Sequence, residues 1–402
     1  KQAMKKLSFC LLFLLTSPQV FANFSWNFPE PVTPMALDTL HVHNKFMLIV
    51  AAIFIVVLAI MIYSLIKHRK SVGHKAVADK APSTAIEIFW TLIPFAILLL
   101  IDFVIMGIPA YHSVVMMEDT RNESDMVLKV TGSQWRWQYE YMGNTDKGSQ
   151  SGLEDAKGIK FVSNLSTPQD QVNGTVAPAN DPAHPYLLDV DNHLVLPVGA
   201  KVRILMTSSD VLHNWWVPQF GSSRLAVPGF IRETWVQIEK AGTYRGQCKE
   251  LCGKGHGYMP VVVEALPKEE YKTWVAQKKK EMSEETAGAD KVWTKEELIE
   301  HGKIVYEKNC AVCHQVTGAG LPPAFPPLTG SKIATAPIFG ADGKYLPNSH
   351  LDRVLNGIRV MPSWKAILND TEIAAVITYE RNALGNSVGD VLQPSQVKAA
   401  RQ

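Results

Sequence analysis

Apolar positions along this chain follow three spacings, and each spacing indicates a different kind of structure. Residues 46–66 form an apolar run with no charge, and residues 88–108 form a second run with one charge, Asp102. Each run has the ~20 residues that a helix needs to cross a bilayer. Further on, apolar and polar positions alternate, which indicates β-strands. The alternating segments are residues 126–141, 193–209, 235–248 and 259–266.

The last hundred residues change pattern again. Apolar positions recur at i, i+3 and i+4 in residues 294–309 and 370–384, which predicts amphipathic helices. Thr294 and Asp370 are the expected N-caps, and Glu297 completes a capping box for the first helix.

Together these patterns predict a multidomain membrane protein. Residues 143–184, rich in Gly, Ser, Asn, Asp and Pro, are predicted to form a long loop, and the charged residues 275–291 a linker that is helical at its start. The predicted divisions are a signal peptide at 1–22, a two-helix transmembrane hairpin at 23–110, an antiparallel β domain at 111–267, a linker at 268–292, an all-α domain at 293–385 and a tail at 386–402.

Charges near the apolar segments predict the orientation of the chain. Lys5 and Lys6 precede a short apolar run, and Ala22 offers a small residue for cleavage, as in a secretory signal. The alternative is a short anchor that is retained. The loop between the two long apolar runs is basic, so the positive-inside rule places it in the cytoplasm and everything after about residue 110 outside. Its charges are Lys67, Arg69, Lys70, Lys75 and Lys80 against Asp79.

Net charge and cysteine spacing narrow the possible functions. A net charge of +2 gives no reason to expect a nucleic-acid partner. Of the 5 cysteines, Cys10 lies in the predicted signal, and the others form two close pairs, each beside a histidine. An extracytoplasmic compartment permits disulfides, but pairing alone does not account for the histidines. Metal chemistry is therefore the better interpretation.

The first pair lies in "GQCKELCGKGHGYMP", residues 246–260, which contains Cys248, Cys252, His256 and Met259. Two thiolates, an imidazole and a thioether form a soft ligand set that suits copper. His213, in "SSDVLHNWWVP" at the end of a predicted strand, is the expected second histidine. A mononuclear copper or zinc site and a disulfide stay open as alternatives for the loop, as does a structural role for His213.

These motifs, with "IFWTLIP", "GSQWRWQYEY" and "DVDNHLVLPVG", resemble subunit II of cytochrome c oxidase over about residues 40–267. The resemblance implies a cupredoxin-type β-barrel with a dinuclear copper centre, CuA. It implies that Cys248 and Cys252 bridge the two coppers and that His213 and His256 each bind one. Met259 and the backbone carbonyl of Glu250 would be the weak axial ligands.

The same resemblance implies three further roles. The Glu250 carboxylate would help to bind magnesium at the contact with subunit I. The alternative is that this carboxylate is only a charge exposed to solvent. Trp135 would be the exposed tryptophan over the copper centre where electrons enter, unless it is a packed aromatic. Glu87 would lie at the mouth of a proton pathway, unless it only favours a helix start.

The second cysteine pair lies in "NCAVCHQ", a C-x2-C-H motif that attaches haem c covalently. Cys310 and Cys313 would form the thioether bonds and His314 would bind iron; a redox-active or structural thiol pair is the alternative. Residues 293–385 resemble class I cytochromes c, which implies Met361 as the second iron ligand and Pro326 as the carbonyl that orients His314.

A copper domain fused to a cytochrome c resembles subunit II of caa3-type haem–copper oxidases. That resemblance implies an inner-membrane protein of bacteria with both domains periplasmic, oxidase subunit I and other oxidase subunits as partners, and a soluble cytochrome c as donor. Two alternatives remain: a free-standing electron-transfer protein, and a nitrous oxide reductase-like enzyme, which would need a second, histidine-rich copper cluster. Asp102 argues against the first, because a carboxylate facing lipid is costly.

Overall fold

The structure is a computed structural model that describes residues 27–74, 83–105, 107–178, 181–288, 291–323, 325–359, 361–365 and 367–401. The predicted signal peptide and the loop residues Lys75, Asp79 and Lys80 lie outside the described residues.

The hairpin consists of α1 (Pro34–Lys67), α2 (Thr84–Leu99), a π-helical stretch (Leu100–Ile105) and α3 (Gly107–Glu118). Within the described residues, Pro34–Lys67 and Thr84–Phe103 are long and apolar enough to cross a membrane, as predicted. Helix α1 begins before the apolar run because Thr33 caps it, with its hydroxyl accepting the Ala36 N–H at 3.0 Å.

Both ends of the hairpin contact the β domain. The Thr33 hydroxyl donates to the Phe220 carbonyl at 2.8 Å, and Trp235 Nε1 donates to the Met116 carbonyl at 2.8 Å. The described basic residues after α1, Arg69 and Lys70, therefore follow the end of that helix that is distant from the β domain. The positive-inside rule predicts that this end is cytoplasmic.

Two five-stranded sheets make up the β domain, in the orders β3-β2-β1-β5-β8 and β4-β10-β9-β6-β7. The strands are β1 (Met126–Ser133), β2 (Arg136–Asn144), β3 (Lys160–Ser163), β4 (Leu194–Pro197), β5 (Lys201–Ser208), β6 (His213–Trp216), β7 (Ser223–Ala226), β8 (Arg232–Gln237), β9 (Gly242–Cys248) and β10 (Pro260–Leu266). The predicted β domain is confirmed, but its strands are not all antiparallel as predicted, because β1–β5 and β4–β10 are parallel.

Two local predictions in this domain were wrong. Residues 126–141 form a hairpin rather than one strand, because the chain turns at Gln134–Trp135 and β2 pairs back on β1. Residues 143–184 are not all loop: they contain α4 (Asp146–Gln150), β3 and α5 (Gln169–Val172). Strand β3 forms because Phe161 packs on the Tyr139 ring, with centroids 5.7 Å apart.

The segment after the β domain begins with α6 (Lys268–Gly288), which is longer than the helical start that its sequence predicts. Tyr271 and Val275, one turn apart, are both 0% exposed and belong to the core of the β domain. The first part of this segment is therefore packed on the β domain rather than extended into solvent.

The C-terminal domain is helical, as predicted. It contains α7 (Lys295–Asn309), α8 (Ala311–His314), α9 (Lys332–Thr335), α10 (His350–Asn356), α11 (Asp370–Asn382) and α12 (Pro394–Arg401). Helices α7 and α11 pack closely at Gly302, where an added Cβ would lie 2.1 Å from the Ala375 carbonyl. The predicted Thr294–Glu297 capping box is present. Asp370 is not the N-cap of α11, because the Asn369 side chain accepts the Glu372 N–H and takes that position.

Candidate functional site

The loop between β9 and β10 brings the predicted soft ligands together. Cys248 Sγ lies 3.9 Å from Cys252 Sγ and 3.9 Å from His213 Nδ1, and Cys252 Sγ lies 3.5 Å from His256 Nδ1. Ligand atoms of His213, Cys248 and Cys252 all lie within 4.8 Å of one another. This donor set of two sulfurs flanked by two imidazoles is chemically suited to copper.

The Glu250 carbonyl and Met259, which the resemblance implies as weak ligands, belong to the same region. The Glu250 carbonyl oxygen is 3.3 Å from Cys248 Sγ. Met259 is buried in the same core as both cysteines, and its carbonyl accepts the Cys248 N–H at 3.1 Å. The backbone thus closes the loop on itself around the sulfur pair.

The two thiols titrate unequally. A hydrogen bond with Cys252, reinforced by His213 and backbone N–H groups, holds the pKa of Cys248 well below its usual range. The same hydrogen bond and burial raise the pKa of Cys252 well above its usual range. The hydrogen bond between the two sulfurs therefore favours one thiolate shared by the pair, and a bound cation would favour ionisation of both.

Asp210 is a supporting residue that the sequence analysis did not identify. One of its carboxylate oxygens lies 2.8 Å from His213 Nε2, and the other accepts the Gln134 N–H at 2.7 Å. A carboxylate on the outer nitrogen fixes the ring orientation and leaves Nδ1 facing Cys248. Its position three residues before a candidate histidine ligand was the available sequence signal.

Trp135, in the β1–β2 turn, lies directly against the loop between β9 and β10 (residues 246–260, the copper loop). Its Nε1–H donates to the Cys252 carbonyl at 3.2 Å, and the Gln134 side chain donates to the same oxygen at 2.7 Å. The ring is half-buried and packs over Gly255. Trp135 is therefore neither a fully packed core aromatic nor a free surface side chain.

A second candidate site is a cavity of about 390 Å³ in the C-terminal domain. Its walls include all four predicted haem residues: Cys310, Cys313, His314 and Met361. His314 Nδ1 lies 2.9 Å from the Pro326 carbonyl, as the sequence predicted, which leaves Nε2 for a metal. The β domain closes the cavity with the turn residues Gln134 and Trp135 and with Arg136 and Asp210.

Polar atoms in this cavity test whether it fits a haem. His350 Nδ1 and Arg353 Nε are buried and have no hydrogen-bond partner in the described part of the chain. They lie three residues apart on α10, and both residues line the cavity. The walls are otherwise mainly apolar and aromatic. A large apolar ring with carboxylate substituents, as haem is, matches this combination of surfaces.

Two predicted residues lie away from these contacts. Glu87 is in the first turn of α2 and exposed, and Asp102 is exposed in the π-helical stretch. Glu250, between Cys248 and Cys252, is half-buried.

Comparison with known protein families accounts for most of the chain. Residues 126–266 match the family model described as "Cytochrome C oxidase subunit II, periplasmic domain", and residues 22–108 match its transmembrane domain. Residues 297–379 match "Cytochrome C oxidase, cbb3-type, subunit III".

Individual relatives agree with these matches. A probable cytochrome c oxidase subunit 2 of Rickettsia felis is 34% identical over 280 residues, covering 68% of this chain and 80% of the relative. The subunit 2 of Arabidopsis thaliana is 31% identical over 268 residues, covering 66% and 94%. The crystal structure of the periplasmic domain of subunit II of Bradyrhizobium japonicum cytochrome oxidase shares 34% identity, with a TM-score of 0.31, and covers 39% of this chain and 96% of that domain.

The family matches imply copper at the cysteine loop and haem c at the C-x2-C-H motif. The chain belongs to the cytochrome c oxidase subunit II family: it is a membrane-anchored subunit, with a periplasmic domain and a fused cytochrome c domain, of a haem–copper oxidase in which it partners subunit I.

Proposed function

We propose that this chain accepts electrons from a soluble cytochrome c at its own haem c and passes them to a dinuclear CuA centre. From there they go to haem in subunit I of a bacterial inner-membrane oxidase, which reduces O2 to water and pumps protons. The observation that supports this order is the position of Trp135. It bonds to the carbonyl of Cys252 and also lines the cavity that holds Cys310, Cys313 and His314.

Haem c and the copper centre, when bound, supply one-electron transfer with little change in the geometry of their ligands. In our proposal Cys248 and Cys252 would be shared by two coppers, and His213 and His256 would each hold one of them. Met259 and the Glu250 carbonyl would be the weaker ligands. Asp210 holds the His213 ring in place and keeps its Nδ1 directed at Cys248.

The haem residues have equally separate tasks. Cys310 and Cys313 would attach the haem covalently, and His314 and Met361 would bind its iron. The Pro326 carbonyl accepts the Nδ1–H of His314 and increases the basicity of its other nitrogen. Ligation by histidine and methionine raises the reduction potential and leaves no open position for a small molecule, which suits an electron carrier.

Two assignments concern the contact with subunit I. We propose that the Glu250 side chain helps to bind magnesium there, because it is a half-buried carboxylate in the copper loop, between Cys248 and Cys252. We also assign Glu87 to the mouth of a proton pathway, because it is exposed in the first turn of a membrane-spanning helix, near the cytoplasmic end.

Met361→Ala tests the order of electron transfer. Covalent haem should remain, because Cys310 and Cys313 are intact, but the potential should fall with the loss of the thioether. We expect oxygen uptake by the assembled oxidase to stop with a protein donor and to continue with a small reductant that reduces copper directly. The copper spectrum serves as the control and should not change. Unchanged uptake with the protein donor would mean that electrons bypass the haem domain.

A further inference from the structure

Arg136 is a β-domain residue that reaches into the haem cavity. It begins β2, directly after Trp135, and only 5% of its surface is exposed. Its guanidinium carbon lies 4.0 Å from the ring centroid of Trp364, which belongs to the C-terminal domain. Cation–π contact therefore joins the two domains at the edge of the cavity.

The charge of Arg136 has no carboxylate partner at ion-pair distance in the described part of the chain; its one hydrogen bond runs from Nε to the Ser133 hydroxyl at 3.4 Å. Burial lowers its pKa to about 10, although nearby Cys310, Cys313 and Asp210 oppose that change. Once haem is attached through thioether bonds, Cys310 and Cys313 can no longer form thiolates and offer Arg136 no negative charge. Asp210 acts on this charge only from beyond ion-pair distance, and a buried cation without a directly bonded counter-charge is costly, so the cavity favours an anionic ligand group beside Arg136.

Haem brings such a group, since its ring has two propionate side chains. The guanidinium fork matches a carboxylate with two parallel hydrogen bonds. We propose that Arg136 binds a propionate of the haem that is attached to the other domain, and so holds that haem against Trp135. The inference rests on the proposed haem site, and it makes Arg136 a positioning residue for electron transfer between the domains.

The C-terminal domain offers a competing donor. Arg353, on α10, lines the same cavity, and its buried Nε has no hydrogen-bond partner in the described part of the chain, whereas His350 Nε2 is already paired with the Glu380 carboxylate at 2.6 Å. One propionate can bind there while the other binds Arg136. If instead both propionates face α10, Arg136 does no more than stack on Trp364. Substitution of Arg136 distinguishes the two arrangements.

The charge of Arg136 predicts the direction in which the midpoint potential of the haem should change on substitution. The arginine charge offsets the negative propionate and so disfavours the ferric state. Arg136→Gln leaves that anion uncompensated, so the midpoint potential of the haem should shift downward. Arg136→Lys keeps the charge but not the fork and should give a smaller shift.

Lys308→Gln is the matched control for domain docking. Lys308, in the C-terminal domain, pairs with Asp191 of the β domain at 3.6 Å, and neither residue lines the haem cavity. Loss of this pair should loosen the contact between the domains without removing a haem partner. The haem potential of the Lys308→Gln variant should therefore match that of the wild type.

The experiment is a potentiometric titration of the detergent-solubilised full chain, followed at the haem absorption band. Covalent haem and copper are measured first, and their absence from the wild type would overturn the proposed function rather than this inference. With both present, a downward shift in Arg136→Gln but not in Lys308→Gln supports the inference. An unchanged potential in Arg136→Gln, equal shifts in both variants, or a shift in Arg353→Gln alone would overturn it.

Discussion

Gly255→Ala should displace Trp135 while leaving every proposed ligand in the chain. Gly255 has φ of −92°, so alanine suits its backbone. An added Cβ would lie 2.3 Å from Cδ2 of Trp135 and 2.6 Å from two other ring atoms. Carbon atoms in good contact are about 3.5–4.0 Å apart, so the ring or the loop must move by about 1 Å.

This displacement affects the contacts that we assign to electron transfer. The Trp135 ring is held on one side by the Cys252 carbonyl and lies on the other side in the haem cavity, so a shift weakens at least one contact. Misplacement by ~1 Å can cost about 100-fold in reactions that depend on contact geometry, which we take as an upper bound here. Overpacking should also destabilise the domain by about 1–3 kcal/mol.

Gly257→Ala is the matched control, because a Cβ there would meet nothing within 4 Å, on the other side of His256. The assay is the rate of copper reduction in the assembled oxidase after rapid reduction of the haem, with both spectra checked beforehand. We expect slower transfer in Gly255→Ala than in Gly257→Ala. Equal rates, with copper and haem fully present in both, would refute the assigned role of Trp135.

Three further predictions test the site and the fold. Cys252→Ser should abolish the paramagnetic resonance signal of two equivalent coppers, since a hydroxyl cannot replace a bridging thiolate; a wild-type signal from one copper would contradict the dinuclear assignment. Tyr271→Ala should destabilise the β domain by about 3–5 kcal/mol in chemical denaturation, because the ring is fully buried, whereas exposed Lys272→Ala should have little effect. A hydrogen bond from Arg203, with further donors, lowers the pKa of Glu233 to about 2, so its stabilisation is present above pH ~4.5 and is lost as the pH falls toward 2. Wild type and Glu233→Gln should therefore differ in thermal unfolding at pH 7 and converge under acid conditions; a constant difference would contradict this.

Local patterns predicted the elements better than they predicted their pairing. The i, i+3, i+4 spacing and the Thr294–Glu297 box gave helix α7, because a capping box depends on residues three apart. The turn at Gln134–Trp135 was missed because it contains none of the Gly, Pro, Asn or Asp residues that usually mark turns. The parallel pairing of β1 with β5 joins strands far apart in sequence, and alternation alone cannot specify it.

The copper loop and the haem motif were predictable for the same reason. Five of the copper ligand candidates lie within residues 246–260, and three haem-binding candidates lie within residues 309–315, so their spacing is itself the signal. Asp210 acts through a contact from its side chain to the His213 ring and to the next hairpin, and such supporting contacts become visible only in three dimensions.

The docking of the two domains leaves still less trace in the sequence. It involves contacts such as Arg136 on Trp364 and Lys308 with Asp191, and each pair is weak by itself. A covalent connection that includes the 21-residue helix α6 makes their association intramolecular, so weak contacts suffice at the high effective concentration. Strong apolar patterning of this surface is therefore unnecessary. A buried arginine beside Trp135 is the kind of feature that marks such an interface, and only the structure places it against the haem cavity.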